Sequence, residues 1–158
     1  MLIRLGSLPA TRSIALLAIT LTVACGPGGS QGSVAPTDPH AAVGEFLDAA
    51  KANDLGAMSD RWGTAGGPAS RSMDREELRK RLTVIQIYLG HDSFEFVAGN
   101  ELGIASADGS RSVQVQMVRS GCVAVVPFRV VPWQGRWLVA DIDLAPIGNP
   151  ARVCQPRP

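Results

Sequence analysis

Apolar residues after position 38 recur every three or four positions, which is the spacing of one face of an α-helix. Asp38 followed by Pro39 predicts the start of a first helix, because aspartate caps exposed amides and proline fits the first turn. The buried stripe of this helix is predicted to hold Val43, Phe46, Leu47 and Ala50. A short second helix, after an interruption at Asn53 and Asp54, is predicted to carry Leu55, Met58 and Trp62.

A third helix follows a glycine-rich loop over residues 63–70, which holds three glycines and one proline and ends the second helix. Asp74, with Glu77 three residues later, forms a capping-box pattern that predicts the start of the third helix. Its buried stripe is predicted to hold Leu78, Leu82, Ile85 and Leu89. The first half of the domain is therefore predicted to contain three helices.

From His91 onward the apolar period changes to two, the period of a half-buried β-strand. Strands are predicted over residues 93–97, 102–107, 113–117, 123–131 and 137–144. Asp108-Gly109 is a typical hairpin turn, and Gln134-Gly135 indicates a second hairpin. The predicted fold class is α+β, with three N-terminal helices on one face of an antiparallel sheet of about five strands.

The second hairpin sets the register of the last strand. Pro127 and Pro132 cannot donate hydrogen bonds to a neighbouring strand, so their long strand is expected to carry a bulge or to lie at a sheet edge. With a two-residue turn, residues whose numbers sum to 269 lie opposite each other. A single bulge at Pro127 would change that register. Without a bulge, the register predicts two pairs that bear on function, Asp141 with Phe128 and Asp143 with Val126.

The start of the chain has the pattern of an export signal. Arg4 and Arg12 give it positive charge, and the uncharged run over residues 13–24 is 12 residues long. This run is too short to span a bilayer, which requires about 20 apolar residues. Residues 1–24 are therefore predicted to be a signal peptide.

The end of that run, Leu21-Thr22-Val23-Ala24-Cys25, resembles the lipobox of bacterial lipoproteins. Ala24 is the small residue that the pattern requires before the cysteine, whereas Thr22 stands where leucine is commonest. The resemblance implies a diacylglyceryl thioether on Cys25 and cleavage after Ala24. It also implies export and anchoring to the outer side of the cytoplasmic membrane or to the outer membrane, since two or more acyl chains anchor stably. The alternative is a plain secretory signal that happens to end in a cysteine.

Removal of residues 1–24 leaves 13 basic and 14 acidic residues, a net charge of −1. This balance gives no indication of a nucleic-acid partner, which would require a basic face. Residues 25–37 are predicted to be the lipidated cysteine and a flexible tether, because the Gly, Pro and Ser residues of this segment offer almost nothing to bury. Residues 38–158 are predicted to form one domain.

Cys122 and Cys154 are the two cysteines that remain after Cys25 is assigned to lipid. In an exported protein an even remainder predicts a disulfide, which would hold the proline-rich tail, residues 145–158, against the sheet. The alternative, a redox or metal pair, has neither a Cys-x-x-Cys motif nor a nearby histidine in its favour. No cofactor is predicted, and His40 and His91 lack ligand-spaced partners for a metal.

The order of elements, with a helix at residues 41–47 and a closing hairpin at residues 133–139 that contains Gly-Arg-Trp, resembles the nuclear transport factor 2-like superfamily. The resemblance covers about residues 38–144. It implies a strongly bent sheet that wraps the long helix into a cone whose mouth is often a ligand pocket. The candidate pocket residues are Trp62, Tyr88, Phe128 and Trp137, although large aromatic side chains are more often part of a core.

Enzymes of this superfamily place carboxylates with tyrosine or histidine inside the cone. His91 could act as a base oriented by Asp92, or it could be a capping or solvent-facing histidine. Asp141 and Asp143 share one face of a strand and could border the pocket, or they could end an apolar patch in water. The basic run at residues 79–81 is interpreted as a solvated helix face, paired with Glu76 and Glu77.

Three hypotheses for the function follow from these observations. The leading one is a non-catalytic, lipid-tethered domain that binds a small apolar molecule or an envelope protein partner. The second is a small cone-pocket enzyme that uses His91 or the edge formed by Asp141 and Asp143. The third is a structural module, in which the exposed sheet face pairs two copies of the chain as a homodimer.

Overall fold

The computed structural model describes residues 35–98 and 106–152. These residues form three α-helices, a small two-stranded sheet and a main four-stranded sheet, all strands being antiparallel to their neighbours. The helices are α1 (Pro39–Lys51), α2 (Leu55–Arg61) and α3 (Arg75–Tyr88). The strands are β1 (Gly63–Thr64) and β2 (Gly67–Pro68) in the small sheet, then β3 (Ser93–Phe96), β4 (Arg111–Arg119), β5 (Cys122–Trp133) and β6 (Arg136–Ile142) in the main sheet. The predicted α+β class is confirmed.

Each helix begins at an aspartate whose carboxylate accepts from free amides of the first turn. Asp38 accepts from the Ala41 amide at 2.9 Å, and Asp54 and Asp74 cap α2 and α3 in the same way. The Glu77 carboxylate binds Arg81 instead of reaching back to the cap, so only half of the predicted capping box forms. Helix starts were therefore predictable, because they depend on local hydrogen bonds.

The helices pack their predicted apolar stripes onto one face of the main sheet. Val43, Phe46 and Leu47 of α1 have no solvent exposure, and the same is true of Met58 in α2. The facing side chains of the main sheet are also at most 4% exposed: Val113, Val115, Met117, Val126, Phe128, Val130 and Val139. Trp62 differs from the prediction, because it follows α2 in extended conformation and does not lie on the helix.

Two details of the predicted order are wrong. The helices do not form one uninterrupted N-terminal block, because the loop after α2 contains the β1–β2 pair and a 3-10 turn, Ala69–Arg71. The main sheet has four strands in the described part of the chain and not about five. The predicted strand at residues 102–107 lies mostly outside the described residues, and its last two residues are not in a strand.

Several further predictions also lie outside the described residues: the signal peptide, Cys25, most of the tether and Cys154. Cys122 is disulfide-bonded, and the Cys122–Cys154 pairing stays a prediction. No helix in the described ranges combines the length and the apolar character that a bilayer crossing requires. Ala35 and Pro36 are both buried, although they precede the predicted domain boundary at residue 38.

The β5–β6 hairpin has the predicted two-residue turn at Gln134–Gly135. Both residues have positive φ, 49° and 73°, a backbone geometry that matches the twist of tightly connected strands. The predicted register holds over four pairs, between residues 130–133 and residues 136–139. A second turn of this kind, Ser120–Gly121, joins β4 to β5.

Beyond these four pairs the register shifts by one, although β5, which contains the two prolines, neither lies at a sheet edge nor holds the extra residue. Val130 faces Val139, but the next β5 residue, Arg129, faces Asp141. Ala140 is therefore the extra residue of a β-bulge, and it lies in β6 and not in the proline-containing strand. The pairs that were predicted for Asp141 and Asp143 are consequently wrong, because Phe128 faces Ile142.

The outermost strand of the main sheet, β3, is joined to α1 through a series of aromatic rings. His40 of α1 meets the ring of Phe96 edge-on at 5.0 Å between centroids, and Phe96 meets Phe94 at 5.8 Å. His91 continues the series against Phe94 at 5.4 Å. Lys51, the last residue of α1, donates to the Asp92 carbonyl at 2.6 Å, immediately before β3 begins. The two ends of α1 are therefore both joined to β3 or to the residue before it.

A part-buried ion pair joins α1 to α2. The Arg61 guanidinium donates through Nε and Nη2 to one oxygen of Glu45, both at 2.8 Å, and through Nη1 to the Ala57 carbonyl. Arg61 is only 9% exposed, so its charge depends on these acceptors. The composition gave no indication of this pair, because its partners are 16 residues apart and lie on different helices.

We predict that Glu45→Gln lowers the free energy of unfolding by about 2 kcal/mol, because a neutral amide replaces the carboxylate that accepts twice from the buried Arg61 guanidinium. Glu76→Gln is the matched control, since Glu76 also pairs with an arginine but on the exposed face of α3, and it should change stability little. Urea unfolding of the two variants measures the difference. Equal effects of the two substitutions would contradict the structural importance of the Glu45–Arg61 pair.

Candidate functional site

The four candidate acid–base residues lie in two separate places. His91 and Asp92 follow α3, where the Asp92 amide donates to the Val118 carbonyl at one end of β4. Asp141 lies opposite Arg129, toward the other end of β5. Since Val118 pairs with Val123, six residues of β5 separate the two levels, roughly 20 Å. The two pairs therefore do not form one constellation.

His91 is 9% exposed and lies at the junction of α3 and β3. Its Nδ1 is 2.8 Å from the Leu89 carbonyl oxygen, which can only accept, so the proton is on Nδ1. Nε2 is buried, with no hydrogen-bond partner. The imidazole ring packs edge-on against Phe94, at 5.4 Å between centroids.

Asp92 does not orient that imidazole, contrary to the interpretation of the two residues as a catalytic pair. Its Oδ2 accepts from the Ser120 amide at 2.7 Å, in the turn between β4 and β5. Ser120 has φ of 49°, so the carboxylate helps to hold a turn residue in left-handed conformation. Asp92 therefore has a structural role, because its carboxylate joins the start of β3 to the β4–β5 turn.

The bulge at Ala140 directs Asp141 and Asp143 to solvent. Phe128, which would have faced Asp141 in an unbulged hairpin, faces Ile142 instead, and both aspartates are exposed. The Asp143 carboxylate accepts from the Ala145 amide at 3.0 Å and begins the next turn. Of the two interpretations left open by the sequence, solvent exposure is the one that the structure shows.

A half-open groove of about 180 Å³ lies beside these aspartates. Its charged lining residues are Arg111, Arg129, Asp141 and Asp143, and its remaining lining residues are Ser106, Ser110, Ser112, Pro127 and Phe128. Phe128 is fully buried, so it lines the groove only from beneath. The groove combines both signs of charge and is open to water, unlike a site that desolvates a catalytic carboxylate.

Asp108 is the titratable group beside this groove whose pKa is most clearly perturbed. The hydroxyl and then the amide of Ser110 bind its carboxylate, and the Arg129 guanidinium lies 3.8 Å away. These groups hold the pKa of Asp108 below its ordinary value. The turn at residues 106–110 is the predicted Asp108-Gly109 turn.

Three of the four aromatic pocket candidates belong to the main core. Phe128 is fully buried, and Trp62 and Trp137 pack against the same cluster. Trp62 lies 5.8 Å from the ring of Phe46, and Trp137 stacks beneath the Arg111 guanidinium at 5.7 Å. Tyr88, partly exposed, is the last residue of α3. The four side chains therefore do not line one common pocket in the described residues.

The basic run of α3 is paired as the spacing predicted. Arg79 and Lys80 contact Glu76 at 2.8 and 3.8 Å, and Arg81 contacts Glu77 at 2.9 Å. All five side chains are more than half exposed. In the described ranges, no three histidine, cysteine, aspartate or glutamate side chains are grouped so that they could hold a metal ion.

We predict that His91→Phe changes the free energy of unfolding by no more than about 1 kcal/mol, because it removes both an unpaired nitrogen and one hydrogen bond. His91→Ala should cost about 2 to 3 kcal/mol, since the ring that packs against Phe94 is lost. Thermal and urea unfolding of both variants measure these changes. A phenylalanine variant as unstable as the alanine variant would mean that the imidazole nitrogens, and not the ring, maintain this junction.

The Asp108 turn gives a prediction about pH. A carboxyl whose folded pKa is lowered stabilises the fold above its unfolded pKa of about 3.9, and this stabilisation is lost as pH falls through the lowered value. Asp108→Asn should therefore be less stable than wild type at pH 7, and the difference should shrink below about pH 4. Ser110→Ala, which removes the hydroxyl donor, should give the same trend in urea unfolding. A difference that is constant with pH would contradict this role.

Comparison with known proteins identifies no relative of this chain. It matches no protein-family model, no curated protein and no solved structure. The resemblance to the nuclear transport factor 2-like superfamily and the lipobox therefore stay predictions made from the sequence.

Proposed function

We propose that this protein is a lipid-anchored, extracytoplasmic domain without catalytic activity, and that it binds an envelope protein through the exposed face of its main sheet. The anchor part of the proposal is supported by the basic start, the uncharged run and the lipobox-like sequence ending at Cys25. We also infer membership of the nuclear transport factor 2-like superfamily. The order of three helices followed by an antiparallel sheet supports that inference.

The packing between the helices and the sheet in the described residues favours a protein partner over a small apolar ligand. The space between the helices and the sheet is occupied by large side chains that have at most 1% exposure, among them Phe46, Met58, Leu82 and Phe128. An apolar ligand would have to displace such side chains, and packed interiors resist this because each lost contact costs stability. A surface is therefore the better candidate for recognition.

The surface that carries the proposal is the sheet face opposite the helices, here called the outer face. Its residues alternate with the core residues along each strand. Val123 and Val125 of β5 are 60% and 43% exposed, and Gln114 and Gln116 of β4 are partly exposed beside them. An uncharged centre that holds exposed aliphatic side chains is typical of protein interfaces.

In the described part of the outer face, charged residues lie on the outermost strand β3 and toward the far end of β5 and β6. Glu95 lies on the outermost strand, at the level of Gln116 and Val125. Arg129 and Asp141 lie toward the far end, beside the mixed-charge groove. Charges at the rim set the orientation of a partner, while the uncharged centre excludes water.

The arrangement of the acid–base candidates supports a non-catalytic function over the enzyme alternative. The buried His91 nitrogen has no carboxylate partner, and the carboxylate next to it in sequence holds a turn. Asp141 and Asp143 are in water, about 20 Å along the sheet. General acid–base catalysis requires such groups within hydrogen-bond reach of one substrate.

The experiment uses the full chain in its own host. Cys25→Ser should move the protein from the membrane fraction to the soluble fraction, or leave it unprocessed, because the proposed site of lipid attachment is lost. A photo-crosslinking amino acid at Val125 should capture a protein in the membrane-anchored form. The same amino acid at Asp48, an exposed position of α1, the helix that packs on the opposite face of the sheet, is the matched control and should capture none.

The mass of the captured product distinguishes the alternatives. A product of twice the chain mass would assign the outer face to a homodimer instead of an envelope protein. The absence of any Val125 product would refute a protein interface on this face, whereas unchanged membrane fractionation of Cys25→Ser would refute lipidation only.

A further inference from the structure

The charges of the mature chain are divided unevenly. Helix α3 holds four basic residues, Arg75, Arg79, Lys80 and Arg81, against Glu76 and Glu77, a net charge of +2. The other residues after position 24 hold 9 basic and 12 acidic side chains, a net charge of −3. Helix α3 is therefore a basic segment in a chain whose other charges sum to a negative value, and an anionic surface would attract this helix.

The exposed side of α3 also carries aliphatic residues. Val84 and Ile87 are 53% and 51% exposed, and they lie four and seven positions after Lys80, on the same side of the helix. The core stripe, which contains Leu78 and Leu82, lies on the opposite side. A helix that has basic residues next to an exposed aliphatic strip is typical of helices that lie in the membrane interface.

The ion pairs of α3 do not prevent such contact. Lys80 has the longest of the three contacts, 3.8 Å, and its side chain is 70% exposed. Exposed pairs of this kind contribute little to stability. Phosphate oxygens of a lipid can therefore replace Glu76 and Glu77 as acceptors for these cations without a large loss of folding free energy.

The end of the tether lies close to the start of α3. Ala35 accepts from the Arg136 guanidinium at 2.6 Å and packs in a small cluster with Trp133. Arg71, four residues before α3, stacks over the same Trp133 at 5.3 Å. Residues 26–34 can span up to about 30 Å, whereas Ile87 is only about 18 Å along the helix from Arg75. A lipid on Cys25 would thus leave α3 within reach of the membrane.

We propose that α3 docks on an anionic phospholipid surface, with Lys80 and Arg81 at the phosphate groups and with Val84 and Ile87 at the boundary of the acyl chains. The proposal rests on the lipid anchor proposed above. The anchor raises the local concentration of the domain at the surface, so that two aliphatic side chains and a few cations are sufficient for docking.

The test uses the full lipidated chain, purified from its host and inserted into vesicles of phosphatidylcholine with or without phosphatidylglycerol, both with brominated acyl chains. Ile87→Trp places a fluorophore on α3, and Val125→Trp is the matched control on the outer face. The fluorescence of the wild-type protein is subtracted to remove the contribution of the native tryptophans. In phosphatidylglycerol vesicles we expect Ile87→Trp to be quenched about twofold more than Val125→Trp.

The charge dependence tests the mechanism. The excess quenching of Ile87→Trp should fall in phosphatidylcholine alone, in about 1 M salt, and when Lys80→Gln and Arg81→Gln are added. Circular dichroism and urea unfolding verify that each variant folds. Equal quenching at both positions, or excess quenching that ignores lipid charge and salt, would overturn the docking of α3. A tryptophan at position 87 that is shielded from water but not quenched by brominated lipid would also overturn it, in favour of a protein contact.

Flotation of the wild-type protein with the vesicles separates this inference from the anchor. A chain that does not float lacks the anchor, and both proposals are then wrong. A chain that floats but shows no excess quenching at position 87 retains the anchor and refutes only the docking of α3.

Discussion

The architecture depends on how the last strand of the main sheet keeps its apolar residues on the core side. Val139 and Ile142 both pack into the core although they are three positions apart, which regular alternation does not allow. The extra residue at Ala140 resolves this conflict. It also turns Asp141 and Asp143 to water and lets the chain continue into Leu144 and Ile147, which pack against the core beyond β6. One inserted residue thus completes the core and removes the carboxylates from it.

The sequence predicted those parts of the fold that depend on local chemistry. The aspartate caps, the apolar stripes of α1 and α3 and the turn at Gln134–Gly135 follow from short-range hydrogen bonds and periodicity. The two prolines of β5 predicted a bulge in their own strand or an edge position, whereas β5 is an inner strand and the extra residue lies in β6. They could not indicate which strand would hold the extra residue, because that depends on packing across the hairpin. The Glu45–Arg61 pair was missed for the same reason.

The candidate site was harder to predict than the fold. His91 and Asp92 are neighbours in sequence, yet one side chain packs against Phe94 and the other binds the Ser120 amide. Their separation follows from the turn after α3, which directs consecutive side chains to different elements. Tyr88, Trp62 and Trp137 likewise could not be assigned to a pocket from composition, since aromatic residues suit a core and a binding site equally. The sequence shows that residues of β5 alternate between the two faces of the sheet. Which of its valines are exposed depends on the face that the helices cover, and the sequence does not show this.

The packing of Ala35 and Pro36 has a consequence for the geometry of the whole proposed assembly. The Pro36 carbonyl accepts from the Trp137 amide at 2.8 Å, so Pro36 is held at a fixed point beside β6. Nine residues, 26–34, lie between the proposed lipid on Cys25 and Ala35. A segment of this length spans at most about 30 Å. With a lipid on Cys25, as proposed, the domain would stay within about 30 Å of the bilayer surface. A partner on the opposite side of a wide periplasmic space or cell wall would be out of range unless it, too, extended to this membrane.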